Sequence, residues 1–111
     1  MKLGAVVGEI MQKNIKTVEM DEPIGKAAHA MKEEKIGSVV VMGGKHVKGI
    51  VTTSDIVYKH VAEGKGSTVS DIMTTDLVTI TPDKTVEEAA NLLTSKGVEK
   101  LLVFDAGALV G

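Results

Sequence analysis

The pentapeptide VGEIM at residues 7–11 recurs as VSDIM at residues 69–73, and this recurrence indicates how the whole chain is organised. This offset of 62 residues aligns residues 7–49 with residues 69–111 without a gap, and nine of the 43 aligned pairs are identical. The apolar positions also match along most of the alignment. Self-similarity at a fixed offset indicates one supersecondary unit that occurs twice. We therefore expect a first repeat over residues 1–64, a linker over residues 65–68 and a second repeat over residues 69–111.

Within the first repeat, the residue pattern predicts the order strand, helix, strand, strand, helix. Two apolar runs, residues 38–42 and 47–52, are separated by glycines, which predicts a β-hairpin. The first of these runs is almost continuously apolar, as in a strand that is buried on both faces. We expect the last helix over residues 53–63. The apolar stripe of the first helix has the i, i+3, i+4, i+7 spacing of an amphipathic helix and consists of Ile24, Ala27, Ala28 and Met31.

These elements predict an α/β fold of two βαββα repeats. We expect a pseudo-twofold axis that relates the repeats, with the sheets facing each other and the helices outside, because one unit of about 50 residues would bury too little surface alone. The counterpart of residues 50–63 would begin after Gly111. The second repeat therefore looks truncated at its C-terminal end.

Composition argues against several functional classes. There is no cysteine, and the three histidines form no HxxH or HExxH pair, so we expect neither a disulfide scaffold nor a metal site. A net charge of −2 gives no basic field for a nucleic acid. No apolar run approaches the length of a membrane span, and the start does not resemble a signal peptide, which favours a cytoplasmic protein. Since no nucleophile–base pair can be argued from spacing, we do not expect an enzyme.

The most informative segment, GIVTTSD at residues 49–55, runs from a buried strand into the start of a helix. The free N–H groups there favour an anion, and the hydroxyls of Thr52 and Ser54 could donate to phosphate or ribose oxygens. Asp55 could accept hydrogen bonds from a ribose cis-diol. A structural interpretation stays open beside this one, in which Thr53 or Ser54 is an N-cap and Asp55 only compensates the helix dipole.

The GIVTTSD segment also matches a family signature, G-h-x-[ST]-x-x-D, in which h is apolar. Three further motifs occur once in each repeat: EIM at 9–11 and DIM at 71–73, TV at 17–18 and TI at 79–80, and AA at 27–28 and 89–90. Together with the offset of 62 residues, these motifs make almost the whole chain resemble a tandem pair of CBS domains, the cystathionine β-synthase type that is also called a Bateman module.

The resemblance implies a ligand in a cleft between the two repeats. Asp55 would accept the ribose hydroxyls, and Thr52 and Ser54 would contact ribose or phosphate. The second repeat would supply the base-binding side, and its equivalents of Thr52 and Asp55 would fall after Gly111, so only one site is complete. The other residues expected around the ligand are Ile50 in the pocket wall, Met73, Leu77 or Val78, and Val98 around the adenine, and Lys100 facing the phosphate.

The resemblance also implies a function. Such modules sense AMP, ADP, ATP or S-adenosylmethionine as regulatory ligands, and they resemble the regulatory parts of kinases, channels and IMP dehydrogenases. We expect a homodimer that buries the apolar residues left on the outer helices; the effector, an enzyme or a transporter, is not identified by the sequence. The alternative from another class is a structural dimerisation module that binds no ligand.

Overall fold

The structure is a computed structural model that describes residues 4–111. The chain forms two compact units, one of Lys16–Asp76 and one of residues up to Ile15 together with Leu77–Gly111. We call them the central unit and the terminal unit, after their places in the sequence. Each contains a three-stranded sheet and helices, which confirms the predicted mixture of helix and strand.

The elements of residues 4–111 are, in chain order, α1 (Val7–Ile10), β1 (Thr17–Glu19), α2 (Ile24–Glu34), β2 (Ser38–Gly43), β3 (His46–Thr52), α3 (Asp55–Ala62), α4 (Val69–Ile72), β4 (Thr79–Ile80), α5 (Val86–Lys96), β5 (Leu102–Asp105) and β6 (Ala108–Leu109).

In the central unit, β2 is the middle strand. It pairs in parallel with β1 and antiparallel with β3, so the predicted β-hairpin is confirmed. Three consecutive valines of β2, Val39 to Val41, are buried, as expected for a strand covered on both faces. The core of this unit consists of Val18, Ile24, Ala27, Met31, Val39, Val41, Val51, Val69 and Ile72.

The terminal unit repeats this sheet on a smaller scale. Its middle strand, β5, pairs in parallel with β4 and antiparallel with β6. The buried cluster consists of Val7, Ile80 and Val103. None of the residues of α5, all of which the structure describes, is fully buried, whereas α2 buries three.

Helix α2 lies where its stripe predicts, with one correction. Ile24, Ala27 and Met31 are buried, but Ala28 is exposed, so the stripe is narrower than predicted. The helix ends at Lys35 in the left-handed conformation (φ 55°), and α5 ends the same way at Gly97 (φ 65°), the residue that the offset of 62 aligns with Lys35.

The short helices α1 and α4 are not predicted by the sequence pattern. Each lies in the unit built mainly from the other repeat. The Val69 N–H donates to the Glu22 carbonyl at 2.9 Å, and the Val7 N–H donates to the Lys84 carbonyl at 2.8 Å, which are aligned positions of the two repeats. The compact units therefore divide the chain differently from the predicted repeats, whose boundaries remain a prediction about the sequence pattern.

Helix α3 differs from its prediction in winding and by one residue in length. Residues 53 and 54 are α-helical and lead directly into the π-helix Asp55–Ala62, so the helical segment covers residues 53–62 of the predicted 53–63. Ser54, just before it, already has helical dihedral angles (φ −62°, ψ −41°). The wider turn is uncommon and occurs often at functional sites.

Candidate functional site

The candidate site is built where β3 ends at Thr52 and α3 begins at Asp55. The two side chains bond reciprocally: the Asp55 N–H donates to Thr52 Oγ1 at 3.1 Å, and the Thr52 N–H donates to Asp55 Oδ2 at 2.9 Å. This is the geometry of a capping box, which satisfies free N–H groups at a helix start. The capping hydroxyl is therefore that of Thr52 and not, as the structural interpretation predicted, that of Thr53 or Ser54. Ser54 makes no capping hydrogen bond among the described residues.

The carboxylate of Asp55 is buried, with a residue exposure of 7%, and other donors besides the Thr52 amide reach it. The Thr52 hydroxyl lies 3.2 Å from Oδ2, and the Thr74 hydroxyl lies 3.3 Å from Oδ1 and 3.4 Å from Oδ2. The Lys59 Nζ is 2.9 Å from Oδ1, one helical turn along α3. A buried carboxylate requires such an opposite charge and such hydrogen bonds, because burial without them would be costly.

Lys59 also connects α3 to the end of α4. Its Nζ donates to the Ile72 carbonyl at 3.1 Å, in addition to its ion pair with Asp55. The carbonyls of the last turn of a helix have no partner within the helix, so a lysine there satisfies a free acceptor. One ammonium thus joins the start of α3 to the segment that leads out of the central unit.

Gly49 allows Thr74 to reach the site. The Ile50 N–H donates to the Thr74 carbonyl at 3.0 Å, and the Thr74 N–H donates back to the Ile50 carbonyl at 2.8 Å. A Cβ atom at Gly49 would lie 2.8 Å from the Thr74 carbonyl oxygen and 2.8 Å from the Met73 sulfur. Real Cβ atoms essentially never come so close, so a glycine is needed for this pairing.

Five of the predicted site residues lie in the central unit. Thr52 and Asp55 bond to each other, Ile50 is buried on the same strand, and Ser54 is exposed. Met73 is half-buried and packs against the core of the unit. The structure therefore joins Thr52 and Asp55 directly, but it does not add Ser54 to their hydrogen bonds.

The other four predicted residues lie in the terminal unit. The Val78 carbonyl accepts from the Leu102 N–H at 3.0 Å, and the Val98 N–H donates to the Leu93 carbonyl at 3.0 Å, which closes α5. Leu77 is half-buried and Lys100 is exposed. Their roles around a ligand remain predictions.

Lys59 and Thr74 are the residues of this cluster that sequence reasoning missed. Lys59 had a signal, since it stands four residues after Asp55 and opposite charges at that spacing lie close on a helix. Thr74 had no local signal, because 19 residues separate it from Asp55.

A second capping carboxylate, Asp71, lies in the same unit and provides a comparison. Its Oδ2 accepts from the N–H groups of Ser67 at 2.9 Å and Thr68 at 3.0 Å. These backbone hydrogen bonds, that of Ser67 first, lower the pKa of Asp71 below its ordinary value of 3.8 because they stabilise the ionised form. Asp71 is exposed, whereas Asp55 is buried.

Within residues 4–111, no group of three or more histidine, aspartate or glutamate side chains could hold a metal ion. No helix in the same range is both long enough and apolar enough to cross a membrane.

Comparison with known proteins places this geometry in context. The family model described as CBS domain matches twice, at residues 7–61 and 69–111. An uncharacterized protein of Methanopyrus kandleri is 36% identical over 110 residues, which cover 95% of this chain and 56% of that protein. The CBS domain-containing protein YhcV of Bacillus subtilis is 33% identical over 107 residues, which cover 95% of this chain and 76% of YhcV.

An inosine-5'-monophosphate dehydrogenase of Korarchaeum cryptofilum is 33% identical over 100 residues, which cover 89% of this chain but only 20% of that enzyme. The chain thus spans about half of the Methanopyrus protein and a fifth of the dehydrogenase.

Solved structures agree with the sequence relatives. An uncharacterized conserved protein from Pyrococcus horikoshii superposes with a TM-score of 0.91 at 26% identity, over 100% of this chain and 86% of that chain. CBSX2, solved in complex with AMP, superposes with a TM-score of 0.78 at 26% identity, over 97% of this chain and 88% of that chain. A hexameric CBS-CP12 protein from bloom-forming cyanobacteria superposes with a TM-score of 0.87 at 30% identity, over 99% of this chain and 64% of that chain.

Proposed function

Because this chain belongs to the CBS domain family and carries the domain as a tandem pair, we propose that it is a non-catalytic regulatory module that binds an adenine nucleotide or another adenosyl ligand. Two relatives support this proposal. CBSX2 was solved in complex with AMP, and a matched segment forms a fifth of an inosine-5'-monophosphate dehydrogenase. A module that binds a ligand more tightly in one of two states shifts the balance between them.

The observation that carries the proposal is the buried carboxylate of Asp55 beside the Thr52 hydroxyl. In the proposed complex, Asp55 accepts hydrogen bonds from the ribose hydroxyls, while Thr52 and Ser54 donate to ribose or phosphate oxygens. Apart from the Thr52 amide, the donors now on Asp55 are two hydroxyls and an ammonium. A ribose diol can replace such side-chain donors while the hydrogen bond from the Thr52 amide stays in place.

Ile50 and Met73 complete the part of the proposed site that lies in the central unit. Both are apolar: Ile50 is the residue of β3 that pairs with Thr74, and Met73 directly precedes Thr74 in the chain. Leu77, Val78, Val98 and Lys100 keep the roles that the sequence predicts for them. The apolar side chains of Ile50 and Met73 suit the faces of an adenine ring.

A thermal-shift experiment tests the proposal. A ligand at about 100 times its Kd adds roughly 2.7 kcal/mol to the free energy of unfolding. We expect at least one of AMP, ADP, ATP and S-adenosylmethionine to raise the Tm of the protein. If none of them does so, the proposal is wrong.

A second candidate function is a structural dimerisation module, and one observation favours it. Val57, Tyr58 and Val61 on α3 are 50%, 66% and 70% exposed, which leaves apolar surface on one helix. A homodimer that covers this surface is compatible with ligand binding, and it is also what a module without a ligand would form. A Tm that none of the four ligands changes would favour this second candidate.

A further inference from the structure

We infer that Lys59 makes the proposed site select adenosyl ligands that carry a phosphate over neutral or cationic ones, an inference that rests on the proposed function. Asp55 has a limited number of acceptor positions. A carboxylate offers about four lone-pair positions. In this structure four donors reach it: the Thr52 amide, the Thr52 hydroxyl, the Thr74 hydroxyl and the Lys59 ammonium.

A ribose cis-diol brings two donors of its own, so two of the present donors must leave. The Thr52 amide belongs to β3 and is fixed by that strand. The Lys59 ammonium lies at the end of a flexible stem with 36% side-chain exposure, and the Thr74 hydroxyl can rotate. Both of these movable donors lie within hydrogen-bond distance of Oδ1, but the Thr74 hydroxyl also lies 3.4 Å from Oδ2. It can therefore take the position on Oδ2 that the Thr52 hydroxyl leaves when it turns to the ligand. The diol therefore takes Oδ1, and Lys59 gives up its ion pair.

The departure of Lys59 leaves a positive charge without its anion. Its other contact, the Ile72 carbonyl, is neutral and does not compensate the charge. Breaking an ion pair whose acid is buried is unfavourable unless another charge replaces the lost partner. A ligand phosphate supplies that negative charge. Adenosine brings no charge, and S-adenosylmethionine is a net cation, because its sulfonium and ammonium outweigh its single carboxylate. Lys59 therefore favours the phosphorylated ligands.

Calorimetric titration with AMP, adenosine and S-adenosylmethionine tests this inference. We expect the wild-type protein to bind AMP at least about tenfold more tightly than adenosine, which corresponds to about 1.4 kcal/mol. Lys59→Met keeps the unbranched stem but removes the charge, and it should lose most of this preference. Lys59→Arg keeps the charge and should retain the preference, and the control Lys26→Met, an exposed lysine of α2, should behave as the wild type does.

The outcomes separate this inference from the proposed function. If the wild type binds adenosine as tightly as AMP, or if Lys59→Met keeps the full preference for AMP, the role of Lys59 is wrong while the proposed function stands. If no protein binds any of the three ligands, the proposed function fails and the role of Lys59 with it.

A measurement on the wild-type protein covers the case in which Lys59→Met does not fold. With lysine labelled at Cε, saturation with AMP should shift the NMR signal of Lys59, since its ammonium changes partner from carboxylate to phosphate. An unchanged Lys59 signal at saturation would overturn the inference.

Discussion

At the scale of single residues, Asp55 is a helix cap in this structure and a ligand-binding residue in our proposal. The local sequence left Thr52 and Asp55 open between a helix cap and a ligand site, and only the resemblance to the family implied the ligand site. The sequence could not predict that the cap is Thr52 rather than Thr53 or Ser54, since that depends on where the strand ends. Nor could it predict Thr74, which reaches Asp55 only through the fold.

The pH dependence of stability tests the cap at Asp71. Its pKa is lowered in the folded protein, so its contribution to stability is fully present above the ordinary value of 3.8 and disappears as the pH falls through the lowered pKa. We expect Asp71→Asn to be less stable than the wild type at pH 7 and to lose less stability on acidification to pH 3. Urea unfolding at a series of pH values measures both. Parallel pH profiles for the two proteins would contradict this account.

At the scale of the elements, long periodic segments could be predicted and short ones could not. The stripe of α2 and the glycine-containing hairpin of β2 and β3 are local patterns; the hairpin is confirmed, and the stripe is confirmed except at Ala28, which is exposed. Helices α1 and α4 have only four residues each, too few to show a helical period, and hydrogen bonds to distant residues hold them. The π-helical winding of α3 likewise has no signal in a pattern of apolar positions.

Gly49 is the residue on which the pairing of β3 with Thr74 depends. In Gly49→Ala, the new Cβ would press on the Thr74 carbonyl and on Met73, so we expect a loss of about 1–3 kcal/mol in unfolding free energy. Gly25→Ala on α2 is the matched control, because among the described residues no atom outside its chain neighbours and its own helix backbone would lie within 4 Å of the new Cβ. Gly25→Ala should raise the free energy of unfolding by about 0.5–1 kcal/mol, because glycine is less favourable than alanine inside a helix. Urea denaturation compares them, and wild-type stability in Gly49→Ala would refute the role of Gly49.

At the scale of the whole molecule, the duplication is visible in the sequence. The sequence does not show that α1 and α4 each lie in the unit built mainly from the other repeat. The offset of 62 residues predicts two similar units, and aligned backbone hydrogen bonds confirm the similarity, as with Val7 to Lys84 and Val69 to Glu22. A repeat pattern does not say which copy of a short helix packs on which sheet. That choice depends on how the intervening chain folds.

The apolar surface of α3 makes the oligomeric state testable. If a homodimer covers Val57, Tyr58 and Val61, Val61→Glu should convert the protein to a monomer of 11.7 kDa, because an unpaired buried charge is costly. Ala28→Glu, at an exposed position of α2, should leave the dimer intact. Sedimentation velocity distinguishes the two states. A wild-type monomer, or a Val61→Glu dimer, would contradict the proposed interface.

Titration of variants at the two capping carboxylates, Asp55 and Asp71, distinguishes a ligand-binding aspartate from a helix cap. Asp55 and Asp71 both accept the N–H of a threonine three residues earlier, but only Asp55 belongs to the proposed ligand site. In calorimetry with AMP, Asp55→Asn should weaken binding by at least about tenfold, since hydrogen bonds to a charged group contribute about 1.5–3 kcal/mol each. Asp71→Asn should bind AMP as the wild type does. Equal AMP affinity in Asp55→Asn and the wild type would contradict the account and leave Asp55 as a helix cap alone.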